Sequence, residues 1–233
     1  MIVCPVCGHS NDEFSITCSS CSSYIQDRVP NLDFFAVVWL MVESPREAFR
    51  KIIIAEHKNF VLFLSLFLGT SGVFAMMRDM QSGNSFDNLF PLLLLGIASG
   101  LIVSLPLFAA YCGTIHGLSK VLKGKGSFLE SYGITGWSLV PVMFSTVFVL
   151  PLELGTLGLL MFSSNPSAME VKPVVTMVLL GLDGAFVLWS VTLSAIGLSM
   201  VHRFRFVTAF LITLVSAAAV SVLSLYIYSS FTI

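Results

Sequence analysis

Apolar residues are gathered into five long stretches that dominate the chain after residue 58. They lie near Phe60–Met77, Phe90–Gly117, Gly133–Phe162, Pro173–Val201 and Phe206–Tyr228. Polar or charged breaks part them at Arg78–Asn88, Ser119–Ser131, Ser163–Lys172 and His202–Arg205. A helix needs about 20 predominantly apolar residues to cross a bilayer, so each stretch reads as a spanning helix. The third is long: its 30 residues would run about 45 Å as a helix against a hydrocarbon core of about 30 Å. Splitting it at Pro151 leaves two pieces that are each too short. The pattern therefore predicts one crossing with an extension along the outer interface.

Between residue 22 and the first long stretch the pattern changes to a linker and a surface-lying segment. Phe34 to Val42 is apolar but too short to span. Ser44-Pro45-Arg46-Glu47 predicts a helix start, with Ser44 as N-cap, Pro45 in the first turn and Glu47 completing a capping box. Phe49, Ile52 and Ile53 then share one side, and Arg46, Arg50 and Lys51 another. Basic residues beside an apolar stripe, just ahead of a span, predict a helix lying at the membrane interface.

Composition turns this pattern into a class. The chain is 56% apolar and 11% charged, against about 45–50% and about 25% for ordinary globular domains. Too few polar side chains remain to cover a water-soluble fold of this size, and the apolar excess excludes disorder. The net charge of -1 supplies no field for nucleic acid. What remains is a multi-pass membrane protein, all-α, with five spans. Orientation follows from the basic residues. With the N-terminus inside, Arg28, Arg46, Arg50, Lys51, Lys58, Lys120, Lys123, Lys125, Arg203 and Arg205 are cytoplasmic, and Arg78 and Lys172 fall outside. An odd number of crossings puts the C-terminus outside, where Tyr226, Tyr228 and Phe231 read as an interfacial aromatic belt. No basic, apolar leader precedes the first cysteine.

The first 21 residues carry different chemistry. Cys4, Cys7, Cys18 and Cys21 follow the spacing C-x2-C-x10-C-x2-C. Two such knuckles bring four thiolates onto one tetrahedron, the pattern of a closed structural zinc site. Iron would fit the same four sulfurs. Gly8 suits the tight turn after Cys7, and Ser22 stands in the matching place of the second knuckle. A segment this small has no core of its own, so metal binding must supply its folding energy, about 10–16 kcal/mol. Four sulfurs fill the shell and leave His9 a solvated turn residue. Reduced thiolates favour the cytosol. The expected organisation is a zinc ribbon over 1–24, a linker and interfacial helix over 25–58, and a five-span domain over 59–233.

Two segments carry a resemblance. Ser44–Ile52, SPREAFRKI, and Gly124–Pro141, GKGSFLESYGITGWSLVP, resemble parts of the Yip (Ypt-interacting protein) family. With the five-span plan the likeness covers about residues 34–233. Ribbons such as CPVCGHSN…CSSC are similar to those fused ahead of such domains in prokaryotic relatives. The resemblance implies a helical membrane domain without an established enzymatic activity. Eukaryotic members are linked to Rab GTPases and vesicle traffic, but no residue here identifies such a partner.

Ionisable groups within spans are costly and mark the places to look for chemistry. Helical counting returns Glu153 to the outer interface and puts Asp183 towards the outside as well. They either reach interfacial water separately or share a site for a cation or proton. Cys112 and His116 lie four apart on one helical face and read as packing and interfacial hydrogen bonding. His57 and His202 flank spans and read as solvated. Gly96-Ile-Ala-Ser-Gly100, Gly69/Gly72, Gly181/Gly184 and Ala217/Ser221 offer close-approach faces, within one bundle or between copies. Pro106 and Pro141 are expected to kink their spans. No nucleophile and base stand together, and no phosphate-cradling loop is visible.

These readings lead to a non-enzymatic integral protein of the cell membrane, a scaffold whose cytoplasmic ribbon recruits a soluble protein partner. Asp12, Glu13 and the lack of Lys or Arg in 1–27 argue against nucleic acid as that partner. The other reading is a small transporter or channel using Glu153 and Asp183.

Overall fold

The computed structural model describes residues 1–27 and 29–231, with side chains as far as Leu225. Arg28 and the side chains of Tyr226, Tyr228 and Phe231, which enter the orientation and belt expectations, lie outside the described residues.

The N-terminal ribbon has one small hairpin, β1 (Ile2–Val3) antiparallel to β2 (Ser10–Asn11), and a second pairing of Thr17 with Tyr24. The other described residues form helices and their connections. Two short helices, α1 (Phe34–Glu43) and α2 (Pro45–Ile54), precede the first long one. Among the described residues, five helices are long and apolar enough to cross a membrane. They are α3 (Val61–Asp79), α4 (Leu89–Val121), a composite third span over Phe128–Phe162, α9 (Pro173–His202) and α10 (Phe206–Phe231). The helix ends near the ribbon form the ribbon side, and the opposite ends the far side.

The composite span is one run, as the length argument requires, but not one regular helix. It comprises α5 (Phe128–Trp137), α6 (Val140–Phe144), a π-helical segment (Ser145–Val149), α7 (Leu150–Leu157) and a closing 3-10 turn (Gly158–Phe162). Pro141 and Pro151 lack the N–H that a continuous helix needs, and the breaks fall next to them. The Ser138 carbonyl at the first break is satisfied by the Ser190 hydroxyl of α9 at 2.6 Å. Pro106 behaves otherwise: α4 runs unbroken through it. A one-turn helix, α8 (Ala168–Val171), leads into α9.

Small residues set the closest approach. A Cβ on Gly69 would stand 2.4 Å from the Gly100 carbonyl oxygen and 2.5 Å from Ser104 Cα, so α3 and α4 pack backbone to backbone. At Gly181 and Gly184 an added Cβ would meet no described atom within 4 Å, so that pair makes no such close approach within the chain.

The main core lies on the ribbon side, around the fully buried Trp137, Phe49, Ile52 and Leu64. The helix expected from Ser44 onwards forms, and its apolar face is buried against α5 and α9 within the protein. It is α1 that leaves an apolar face open, with Phe35 81% and Trp39 68% exposed. The capping box at Ser44 does not form. Ser44 closes α1, its N–H reaching the Leu40 carbonyl and so unavailable to Glu47, and it begins α2 at the same time without a side-chain cap bond. True boxes stand instead at Ser127/Glu130 and Ser167/Glu170.

Candidate functional site

The cysteine cluster is built from two matching turns. Gly8 N–H bonds the Cys4 carbonyl and Cys4 N–H the His9 carbonyl; Ser22 N–H bonds the Cys18 carbonyl and Cys18 N–H the Ser23 carbonyl. Gly8 and Ser22 share the left-handed conformation, with φ of 71° and 59°. Ser22 therefore does the work of a glycine. All four Sγ atoms lie within 4.8 Å of one another. The Cys4–Cys21 and Cys7–Cys18 separations are both 3.6 Å, far from a disulfide at about 2.0 Å. Tetrahedral sulfurs each about 2.3 Å from a zinc ion would stand about 3.8 Å apart, so the donor set fits a metal ion.

Proton chemistry points the same way. The Ser23 hydroxyl, 3.2 Å away, helps hold Cys4 down to about 6. The His9 backbone N–H favours the Cys7 thiolate, but hydrogen bonds with Cys21, Cys18 and Cys4, together with desolvation, push it up to about 12. Four crowded thiols cannot all shed protons without a cation among them. Asn11 locks the turns together, a role its sequence position gave no hint of. Its side chain accepts from Ser19 N at 2.9 Å and donates to the His9 carbonyl at 2.9 Å and Cys18 Sγ at 3.5 Å.

The ribbon is braced against the helices. Arg203, in the turn between α9 and α10, hydrogen-bonds Asp12. Arg50 of α2 donates to Gln26 at 3.0 Å, and Gln26 in turn holds the Glu13 and Ser15 carbonyls. Phe14 packs on the main core. The connection ahead of α1 is fixed too, since Asn59 makes paired bonds with the Leu32 backbone at 3.0 and 3.1 Å. Next to it, Lys58 Nζ donates to the Ile52, Ile53 and Ala55 carbonyls at 2.5, 2.8 and 2.7 Å, closing the end of α2. Burial pushes the Lys58 ammonium down to about 8, with Glu130 pulling the other way.

His202 is not solvated: it is 2% exposed, wrapped by Gly124 and Gly126. Its Nε2 and the Nδ1 of His116 each stand 2.9 Å from Ser131 Oγ, which joins α4, α5 and α9 on the ribbon side. Its place at the end of a span suggested water, but a ring can turn inward where glycines leave room. Cys112 is buried in the core, and His57 is exposed as expected.

A second polar site lies in the far half. Glu153, Asp183, Arg78, Ser145, Thr146 and Ser71 line one cavity of about 30 Å³. Glu153 does not reach interfacial water; it is 1% exposed, and its Oε1 has no hydrogen-bond partner among the described residues. Ser145 donates to Asp183 Oδ1 at 2.5 Å, and Arg78 lies 3.7 Å from Asp183 Oδ2. The π-helical segment carries Ser145 into this cavity; such segments often occur at functional sites.

The fold and these sites define a multi-pass helical membrane protein with a small four-cysteine ribbon at its N-terminus. The family model of the Yip1 domain matches residues 39–228, most of the chain, and the protein belongs to the Yip1 family. No curated protein and no solved structure matches it.

Proposed function

We propose that the protein is a non-enzymatic membrane scaffold. Its cytoplasmic ribbon, folded by one zinc ion on Cys4, Cys7, Cys18 and Cys21, presents a binding surface for a soluble protein at the cell membrane. The carrying observation is the ribbon's mounting. The ribbon is braced through Asp12, Gln26 and Phe14, while its Val3, Val6 and Tyr24 side chains stand exposed at 62%, 72% and 61%. Charge asymmetry supports a cytoplasmic ribbon and an external C-terminus. The zinc would act structurally, since four thiolates leave no ligand position open.

The test is site-specific photo-crosslinking from position 6 in cells, with metal content measured on the purified chain. The reading expects a discrete protein adduct that Cys4→Ser and Tyr24→Ala both abolish, although Tyr24→Ala retains its zinc. An adduct pattern unchanged by either substitution counts against it. A second reading, transport, is favoured by the convergence of Glu153 and Asp183 on one cavity. Solute flux in vesicles that survives removal of residues 1–27 but not Asp183→Asn would select it.

A further inference from the structure

The far-half cavity has an unbalanced charge inventory. Arg78 contributes one positive charge, while Glu153 and Asp183 contribute two carboxylates. Arg78 pairs with Asp183 at 3.7 Å and is shared with Asp79, 3.8 Å away and largely exposed. Lys172, the nearby cation at the start of α9, spends its ammonium on the Thr156 carbonyl at 2.6 Å. Among the described residues, Glu153 makes no ion pair within 4 Å, and the single Arg78 guanidinium cannot balance both carboxylates in helices that cross a membrane, where an unbalanced charge costs several kcal/mol.

The cavity supplies what such a group lacks. Its free volume of about 30 Å³ exceeds the roughly 10–15 Å³ that one water-sized occupant needs, and is far below that of a hydrated ion or organic solute. Its donors are hard oxygens: two carboxylates and the hydroxyls of Ser145, Thr146 and Ser71. Such donors select a proton or a hard cation over a soft transition metal. Ser145 donates its proton to Asp183 and keeps lone pairs free. The deficit is one unit, which matches a monovalent occupant and leaves a divalent one in excess. Arg78 and Asp183 are each about a quarter exposed, while Glu153 is buried.

We propose that this cavity binds a single monovalent cation, either a proton or a dehydrated alkali ion, held by Glu153 and Asp183 with Arg78 as the fixed counter-charge. A proton would sit on a lone pair of a Glu153 oxygen; an alkali ion would bridge Glu153, Asp183 and the hydroxyls. The site concerns occupancy rather than passage, and stands independently of the scaffold and transport readings.

The test uses the full chain in lipid nanodiscs. Thermal unfolding is followed while sodium or potassium replaces N-methylglucamine at constant ionic strength, and infrared spectra are taken at neutral pH. An alkali occupant raises the unfolding temperature of the wild type and not of Glu153→Gln. A proton occupant gives no alkali response, but a protonated-carboxyl stretch that Glu153→Gln removes. Asp183→Asn deletes the same unit of charge and abolishes whichever signal is present, which covers the case in which Glu153→Gln does not fold. Absence of both signals from the wild type overturns the proposal, as does persistence of the signal in both variants.

Discussion

Asp12 of the ribbon accepts a hydrogen bond from Arg203, a partner 191 residues further along the chain. Both side chains are about half exposed, so the pair is worth about 0.2–1 kcal/mol on its own. Asp12→Asn should therefore loosen the ribbon only slightly, and adding Arg50→Ala should loosen it further. Hydrogen exchange over residues 10–27 reads both, and metal content should stay unchanged. Equal protection in the wild type and the double variant would show that Phe14 alone holds the ribbon down.

Replacing any one of the four clustered cysteines by serine should cut bound metal from one equivalent to none and abolish protection in residues 1–27. A small segment with no core takes its folding energy from the ion. The spanning helices should keep their circular dichroism. Elemental analysis of the purified chain gives the stoichiometry and separates zinc from iron.

Lys58→Met should destabilise the chain by about 1–3 kcal/mol, because three carbonyls at the end of α2 lose their donor. The pH dependence has a definite sign. Lys58 titrates near 8 when folded and at about 10.4 when unfolded. Between those values the unfolded chain holds more protons, so this group makes stability rise with pH across that window. Unfolding midpoints at pH 7.5 and pH 9.5, compared between the wild type and Lys58→Met, isolate the slope; it should vanish in the variant.

Gly69→Ala should cost about 1–3 kcal/mol, because its methyl meets the Gly100 and Ser104 backbone rather than a side chain that can move. Gly113→Ala, with nothing within 4 Å of its Cβ, should be neutral or stabilise by up to about 1 kcal/mol. Thermal melts of the two variants in one detergent compare them directly.

Ser131→Ala removes the hydroxyl shared by His116 and His202. Two ring nitrogens then lose a partner, and His202 is already short of one at Nδ1 among the described residues. A loss of about 1–3 kcal/mol is expected, with increased exchange at the ribbon-side ends of α4 and α9. Ser131→Thr should restore most of it.

The spans and the cysteine cluster were legible in the sequence because each rests on a distance along the chain. An apolar run of sufficient length has few alternatives in water or lipid, and two C-x2-C pairs define a tetrahedron wherever the intervening hairpin goes. Rotation about a helix axis was not legible. Counting along the helix put Glu153 and Asp183 in the same half, but the spans are apolar all round, and the π-helical segment at Ser145–Val149 shifts the register before Glu153. The same limit hid His202, whose inward turn depends on Gly124 and Gly126, far earlier in the chain. Ser44 misled for a more local reason: S-x-x-E encodes a cap only where the serine is free of other duties, as at Ser127 and Ser167.

That double duty of Ser44 has a mechanical corollary. With one residue between α1 and α2, and its backbone N–H already committed to Leu40, the elbow has no slack. Arg50 grips the ribbon from one arm, and Phe35 and Trp39 project from the other. A tug on the cysteine knob is thus passed to an oily paddle, and whatever surface that paddle rests on will feel the load.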